Sequence, residues 1–250
     1  MAYASGVLKS FAGYGVRGIL NRGARVLELG AQELNPDVTT EEIHEFIARF
    51  NPDQDDSGQS YSDLCGGFVG KVYEKGGFEY RSIDMYDGYR TLMLDLNHED
   101  LPEKYMGYFE FVTNFGTTEH LINQFHAFEI IHDALVNGGY AFHTVPFTGY
   151  FNHGLINYHP KFFLLLAVAN DYRIVQWGLS RPHLHYKIAD IEQIPGSQGW
   201  QQKELPSGMM TFLLQKTTDS KFRPPLDLDL RRFSNDIPED IQKILSVSCS

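Results

Sequence analysis

The sequence predicts an α/β fold, a doubly wound and mainly parallel sheet of seven strands, on three observations. Short apolar runs alternate with stretches of helical period along most of the chain, the pattern of strands joined by crossover helices. The first run, Arg25 to Leu29, packs Val26, Leu27 and Leu29 between Gly23 and Gly30, as in a central strand covered on both faces. Three runs carry an acidic residue at or near their end, Glu28, Asp84 and Asp95, and a parallel sheet brings such ends to one edge, where open α/β sheets bind ligands.

In chain order, residues 3–21 set Val7, Leu8, Phe11, Val16, Ile19 and Leu20 at roughly helical spacing. Gly13, Gly15 and Gly18 interrupt them, each weakening a helix by about 1 kcal/mol against Ala. A short helix with a closing flap is one reading, in which Tyr3 or Tyr14 could stack on a ligand; a helix packed on the sheet is the other. In the first strand Glu28 is the odd member, because a carboxylate in an apolar strand is costly without a partner. Gly30 lets the chain leave that strand with no side chain in the way of a ligand.

Thr39 with Glu42 forms a capping box, and Ile43, Phe46, Ile47 and Phe50 make the apolar face of the helix it opens. A second helix is expected from about Ser62 to Glu74. Between them Asp53, Asp55, Ser57 and Gly58 fall at the first, third, fifth and sixth places of an EF-hand calcium loop. The place of its bidentate Glu holds Leu64, so a solvated acidic loop is expected instead. The second strand is Phe78 to Asp84, the third Thr91 to Leu96 and the fourth Phe109 to Thr113. A helix from Ile122 to Val136 is expected to stop at Gly138 and Gly139. Then come a fifth strand closed by Pro146, a helix from Pro160 to Asn170, a sixth strand Arg173 to Leu179 and a seventh Met209 to Gln215. The tail carries a short helix near Pro238 to Leu245.

One domain of 250 residues suits this length. Within it we expect an N-terminal segment 1–22, a helical insertion 35–77 after the first strand, loops 147–160 and 180–207 on one side of the site, and a tail 217–250. Hydrophobic residues at 42% and charged residues at 21% are ordinary for a soluble protein. A formal net charge of −11 argues against nucleic acid as a partner, since gripping phosphates needs Lys and Arg. Cys65 and Cys249 are too few for a disulfide framework and show no zinc spacing. No run approaches a membrane span or a signal peptide, so a soluble, cytoplasmic protein without a membrane partner is expected.

The order of these features resembles the class I S-adenosylmethionine-dependent methyltransferase family over about residues 20 to 216. The residues that carry the resemblance are Glu28 with Gly30, Asp84, Asp95 with Leu96, and Glu119 with His120. It implies that Asp84 accepts from the ribose hydroxyls of the cofactor, as in dinucleotide-binding folds. Asp95 would accept from the adenine amine while Met85 or Leu96 packs on the ring. Glu28 and Gly30 would hold the turn or the cofactor's ammonium, and Asn114 would lie at the same edge.

The sequence departs from the family in three ways. Gly30 is followed by AQELNP, without the usual further glycines; residues 35–77 lengthen the path to the second strand; and the link from Asp84 to Thr91 is too short for a crossover helix. A nicotinamide cofactor would ask for GxGxxG after the first strand, which is absent.

Methyl transfer is an in-line displacement in which the protein aligns the partners and removes a proton from a hydroxyl acceptor. Histidine suits the base role. His120, His143, His153 and His159 group around the ends of the fourth and fifth strands, and we assign the base first to His120, then to His153. Glu119, His143, Phe147, Tyr150, Asn152 and Tyr158 would shape the pocket for a small-molecule acceptor, with Phe151 and Asn157 beside them. Some members of the family bind a divalent ion through ExxEH; here Gly116 replaces the first Glu, leaving Glu119 and His120, with His143 as a third candidate. That is fewer ligands than such an ion wants, so a metal is not favoured. The expected activity is O-methylation of a small molecule; a non-catalytic binding or scaffold protein on the same fold is the alternative.

Overall fold

A computed structural model describes residues 2–53, 61–150, 153–181, 184–186 and 208–227. Its elements, in chain order, are α1 (Val7–Val16), β1 (Arg25–Leu29), α2 (Thr40–Phe50), α3 (Val69–Lys75), β2 (Glu79–Asp84), β3 (Thr91–Met93), β4 (Phe109–Phe115), α4 (Gln124–Ala134), β5 (Leu135–Thr148), α5 (Pro160–Ala169), β6 (Arg173–Arg181), β7 (Leu184–Tyr186) and β8 (Gly208–Gln215). They build one sheet in the order β3-β2-β1-β4-β5-β8-β6-β7. The first five strands are parallel; β8 pairs antiparallel with both β5 and β6, so β6 runs in the direction of the first five, and β7 pairs antiparallel with β6. The seven expected strands are all present. The three-residue β7 is an eighth that carries no apolar run to reveal it.

Strand parity divides the core in two. Val26, Tyr80, Phe111, Phe115 and Phe142 pack with α1, α2 and α3 on one face. Leu27, Leu29, Ile83, Val112, Ala141 and Val145 pack with Phe128 of α4 and Phe163 of α5 on the other. Glu28 shares the parity of Val26, and this is why it meets the tyrosines of the first face.

The capping box forms as expected: Thr39 Oγ1 accepts from the Glu42 amide, and a Glu42 carboxylate oxygen accepts from the Thr39 amide. The other carboxylate oxygen of Glu42 accepts from the Gly6 amide at 2.6 Å, tying the start of α1 to that of α2. Among the described residues the N-terminal segment packs on the sheet: Tyr3 and Tyr14 are buried in the core, and the Tyr3 backbone bridges to Leu34.

Two other expectations need correction. Residues 35–77 hold α2, a 3-10 turn and α3, and the expected helix from Ser62 splits at Gly66 and Gly67 into that 3-10 turn and α3. The link from Asp84 to Thr91, too short for a crossover helix, crosses tightly, and β2 and β3 pair in parallel across its six residues. They can because only Ser82, Ile83 and Asp84 are paired, so the chain need climb back only about 7 Å. Finally, α4 ends at Ala134 and runs directly into β5, and Gly138, at φ 85°, lies in a bulge of that strand. The buried Lys216 explains the early stop, since its ammonium donates to the carbonyls of His132 and Leu135 at 2.9 and 3.0 Å. Residues 54–60, most of the 180–207 loop and the tail helix near Pro238 lie outside the described residues.

Candidate functional site

The chain leaves β1 for β2 and β3 on one side and later returns to β4 on the other, so the carboxyl end of β1 is a topological switch point. Leu29 is aligned there with Ile83 of β2 and Asn114 of β4. Gly30 takes φ 78°, and its amide donates to the Ile83 carbonyl at 2.7 Å. Two of the three carboxylates converge on the turn that follows. Asp84 Oδ2 accepts from the Ala31 amide at 2.9 Å, and Glu28 Oε2 accepts from the Gln32 amide at 3.1 Å.

The two differ in environment. Asp84 is half-buried, accepts also from the Tyr86 amide, and stands beside the exposed side chains of Met85, Tyr86 and, across its β3 pairing, Met93. Glu28 is fully buried, takes a short hydrogen bond from the Tyr80 hydroxyl, and lies close to Tyr3 and Tyr73. Burial pushes its carboxyl up to about 7 against the pull of hydrogen bonds from Tyr80 and Tyr3. Its Oε1 has no hydrogen-bond partner among the described residues.

Asp95 does not join them. It caps its own turn, accepting from the amide and side chain of Asn97 at 2.8 and 2.9 Å and facing His98 at 3.2 Å. Leu96 is buried in the core beside Leu101 and Tyr105 rather than on a ligand surface. Asn114 points to the α4–α5 face, where it bonds Thr118 and its register partner His143. Strand parity turns Asn114 to the covered face, burial takes Leu96 into the core, and Asp95 is engaged by its own turn.

Gln32 also stands at this turn, a residue that sequence reading did not single out. Its buried side chain lies over Gly30 and donates to Thr117 Oγ1 at 3.3 Å, and Thr117 in turn donates to the Leu29 carbonyl at 2.6 Å. A Cβ at position 30 would stand 2.5 Å from the Gln32 amide nitrogen, so this turn requires glycine. The place where the family has a second glycine was the available signal.

On the β4 side, a 3-10 turn of Thr118–His120 follows Thr117 directly. Glu119 is fully buried, and neither of its carboxylate oxygens has a hydrogen-bond partner among the described residues. His153 Nε2 approaches its Oε1 at 3.4 Å and His120 Nε2 at 4.0 Å, the two rings standing 5.0 Å apart. Burial raises the Glu119 carboxyl to about 7. Burial first and His153 second lower the pKa of His120, leaving it neutral and able to accept a proton near pH 7. Tyr150 places its ring 5.3 Å from His153. Gly154 allows this approach, since a Cβ there would lie 2.8 Å from Glu119 Cγ and 2.9 Å from its carbonyl oxygen.

The structure therefore joins Glu119, His120, His153 and Tyr150, while His143, Tyr158, His159, Asn157 and Phe147 are engaged elsewhere. His143 is fully buried between Phe128 and Phe163, and burial holds it down to about 3, a neutral core residue. Tyr158 is buried, donating to Thr118 Oγ1 at 2.8 Å. His159 caps α5 by accepting from the Lys161 amide, and Asn157 donates to the Gly149 carbonyl. Phe147 is only partly buried and packs against the core. Asn152 and Phe151 lie outside the described residues.

A sheet in which β1–β5 and β6 all run one way and β8, between β5 and β6, runs against them, with acid-bearing turns at its switch point, decides the fold. The chain has the class I methyltransferase fold. No family model and no curated protein matches its sequence. Solved structures similar to this fold include the 1,6-didemethyltoxoflavin-N1-methyltransferase of Burkholderia thailandensis, at 11% identity and TM-score 0.46, covering 85% of this chain and 79% of that one. Coclaurine N-methyltransferase is similar at 10% identity and TM-score 0.47, covering 84% and 70%. The [4+2]-cyclase SpnF is similar at 12% identity and TM-score 0.44, covering 84% and 80%. No helix among the described residues is long and apolar enough to cross a membrane.

Proposed function

We propose that the protein is an S-adenosylmethionine-dependent methyltransferase acting on a small molecule, at an oxygen. The observation that carries this reading is the half-buried Asp84, which ends β2 one hydrogen bond from the switch-point turn, with exposed Met85 and Met93 beside it. An acid in that place suits the two ribose hydroxyls, and the thioether side chains suit an adenine face. The turn itself is held from both sides by carboxylates, so the backbone a cofactor would approach is fixed before it binds.

Glu119, His120 and His153 form the acceptor side of the site. Both imidazoles are part-exposed, at 43% and 30% of the side chain, over a buried carboxylate. When bound, S-adenosylmethionine would supply the methyl group for an in-line displacement, and an imidazole of this pair would take the proton of the acceptor hydroxyl. Glu119 supports the imidazolium so formed. His120→Ala is expected to leave cofactor affinity intact and to lower turnover by about 100-fold, the usual worth of a general base, measured as transfer of labelled methyl over a panel of hydroxylated acceptors. A normal rate in that variant would remove His120 from the reaction.

Gln32 favours a second reading, a binding protein without turnover. Its amide lies over Gly30, where the family leaves the backbone bare. Cofactor binding without transfer to any acceptor in the panel would support that reading.

A further inference from the structure

Gly30 carries no side chain at the switch-point turn, yet two other side chains cover it. A Cβ there would stand 2.5 Å from Gln32 Nε2 and 2.7 Å from Thr117 Oγ1. The two covers are held differently. Thr117 gives its single hydroxyl hydrogen to the Leu29 carbonyl at 2.6 Å, so toward Gln32 its oxygen can only accept. That fixes the carboxamide with its nitrogen toward Thr117 at 3.3 Å and the Leu29 carbonyl at 3.5 Å, and its oxygen away from both. Both bonds are longer than N–H···O bonds usually are. The oxygen, Oε1, is buried and has no hydrogen-bond partner among the described residues, on a residue only 5% exposed. The Gln32 backbone, by contrast, is clamped: its amide donates to Glu28 Oε2 at 3.1 Å, and its carbonyl accepts from the Val69 amide at 3.0 Å. The side chain can therefore swing off Gly30 while the turn stays in place. Swinging toward solvent breaks two weak bonds and gives Oε1 the partner it lacks in the fold.

We propose that Gln32 is a specificity-determining residue of the cofactor site: its carboxamide holds the place of the ligand's amino-acid end and must leave Gly30 for that end to bind. The proposal rests on the methyltransferase reading. Asp84, the acceptor proposed for the ribose, bonds the Ala31 amide, and the exposed side chains of Met85 and Met93 flank it on the β3 side. A nucleoside with its base on those methionines and its ribose on Asp84 points its 5′ end along Ala31 and Gly30 toward β4. What meets Gln32 is then the substituent on sulfur and not the nucleoside. The site so built discriminates by the length of that substituent. An adenosyl thioether with a short apolar group leaves Gln32 where it stands, whereas S-adenosylmethionine and its demethylated product each have to displace it. A second glycine at position 32, the pattern that the resemblance implies, would ask for no displacement.

The test titrates the full chain and its Gln32→Ala variant by calorimetry with two probes. One is S-adenosylhomocysteine; the other is 5′-methylthioadenosine, which keeps the adenosyl thioether and lacks the amino-acid end. Alanine suits the position, because Gln32 does not take a left-handed φ. S-adenosylhomocysteine should bind the variant about 3- to 10-fold more tightly, the effect of roughly one net hydrogen bond that no longer has to be broken. Methylthioadenosine should change by less than about 2-fold, within the scatter of independent sites. Gln32→Ser, too short to reach Thr117, should give the same two results and decides the matter if the alanine variant misfolds. Weaker binding of S-adenosylhomocysteine to the variants would overturn the proposal and make Gln32 a contact of the ligand. Unchanged binding, or an equal gain for both probes, would overturn it too. Binding of both probes that ignores the substitution refutes the role of Gln32 alone, whereas failure of wild type and variants to bind either probe refutes the methyltransferase reading with it.

Discussion

Glu28→Gln is expected to stabilise the protein at pH 8 by about 3 kcal/mol and to leave its stability near pH 4.5 almost unchanged. The sign follows from linkage. Burial raises the folded-state pKa of Glu28 from the ordinary 4.5 to about 7, so between these values the folded chain holds a proton that the unfolded chain has released. The contribution of Glu28 to stability is therefore fully present below about pH 4.5, falls as pH rises, and is gone above about pH 7. At about 1.4 kcal/mol for each pKa unit, the difference is about 3 kcal/mol. Gln copies the protonated acid in shape and does not titrate, so the variant's profile should be flatter than the wild type's across that window. Thermal melts at pH 4.5 and pH 8 check it, with a gain of roughly 6–12 °C expected at the higher pH for a chain of this size. Parallel profiles for the two proteins would mean that Glu28 is ionised in the fold across the whole range. The same substitution removes the carboxylate from the turn, so if Glu28 also meets the cofactor, the stabilised variant should bind it more weakly.

Asp84→Ala carries the second large effect. The substitution removes the acceptor proposed for the ribose and also frees the Ala31 amide, one of the two tethers of the switch-point turn. Loss of a hydrogen-bonded charged partner of this kind is worth about 1–3 kcal/mol, so S-adenosylmethionine should bind about 5- to 150-fold more weakly. Asp95→Ala should change affinity much less, because Asp95 is committed to Asn97 and His98. Equal losses in the two variants, read by calorimetry, would place the adenosyl group nearer β3 than the hydrogen bonds suggest.

The fold was legible because its signals are local. The periodicity of Ile43, Phe46, Ile47 and Phe50 behind a Thr39–Glu42 capping box specifies α2, and the compact run at β1 specifies a covered strand. Glu28 was conspicuous for the same reason, as a charge where none belongs. What failed depended on partners distant in sequence. The end of α4 is set by Lys216, some eighty residues away, so Gly138 and Gly139 were read as a stop when they form a bulge. Strand register turns Asn114 and His143 into the core, and Tyr158 is buried there from the loop before α5, whereas His153 is brought to Glu119 by a loop whose course no periodicity reveals. Gln32 shows the same limit, since the text displays a missing glycine but not the side chain that lies over the first one.

The most direct test of the account is a calorimetric titration of the purified full chain with S-adenosylmethionine. One molecule should bind per chain at the β1–β2 edge, with affinity that falls in the Asp84→Ala protein. A wild-type chain that takes up neither S-adenosylmethionine nor its demethylated product would contradict the account, leaving the fold without the cofactor it is proposed to hold.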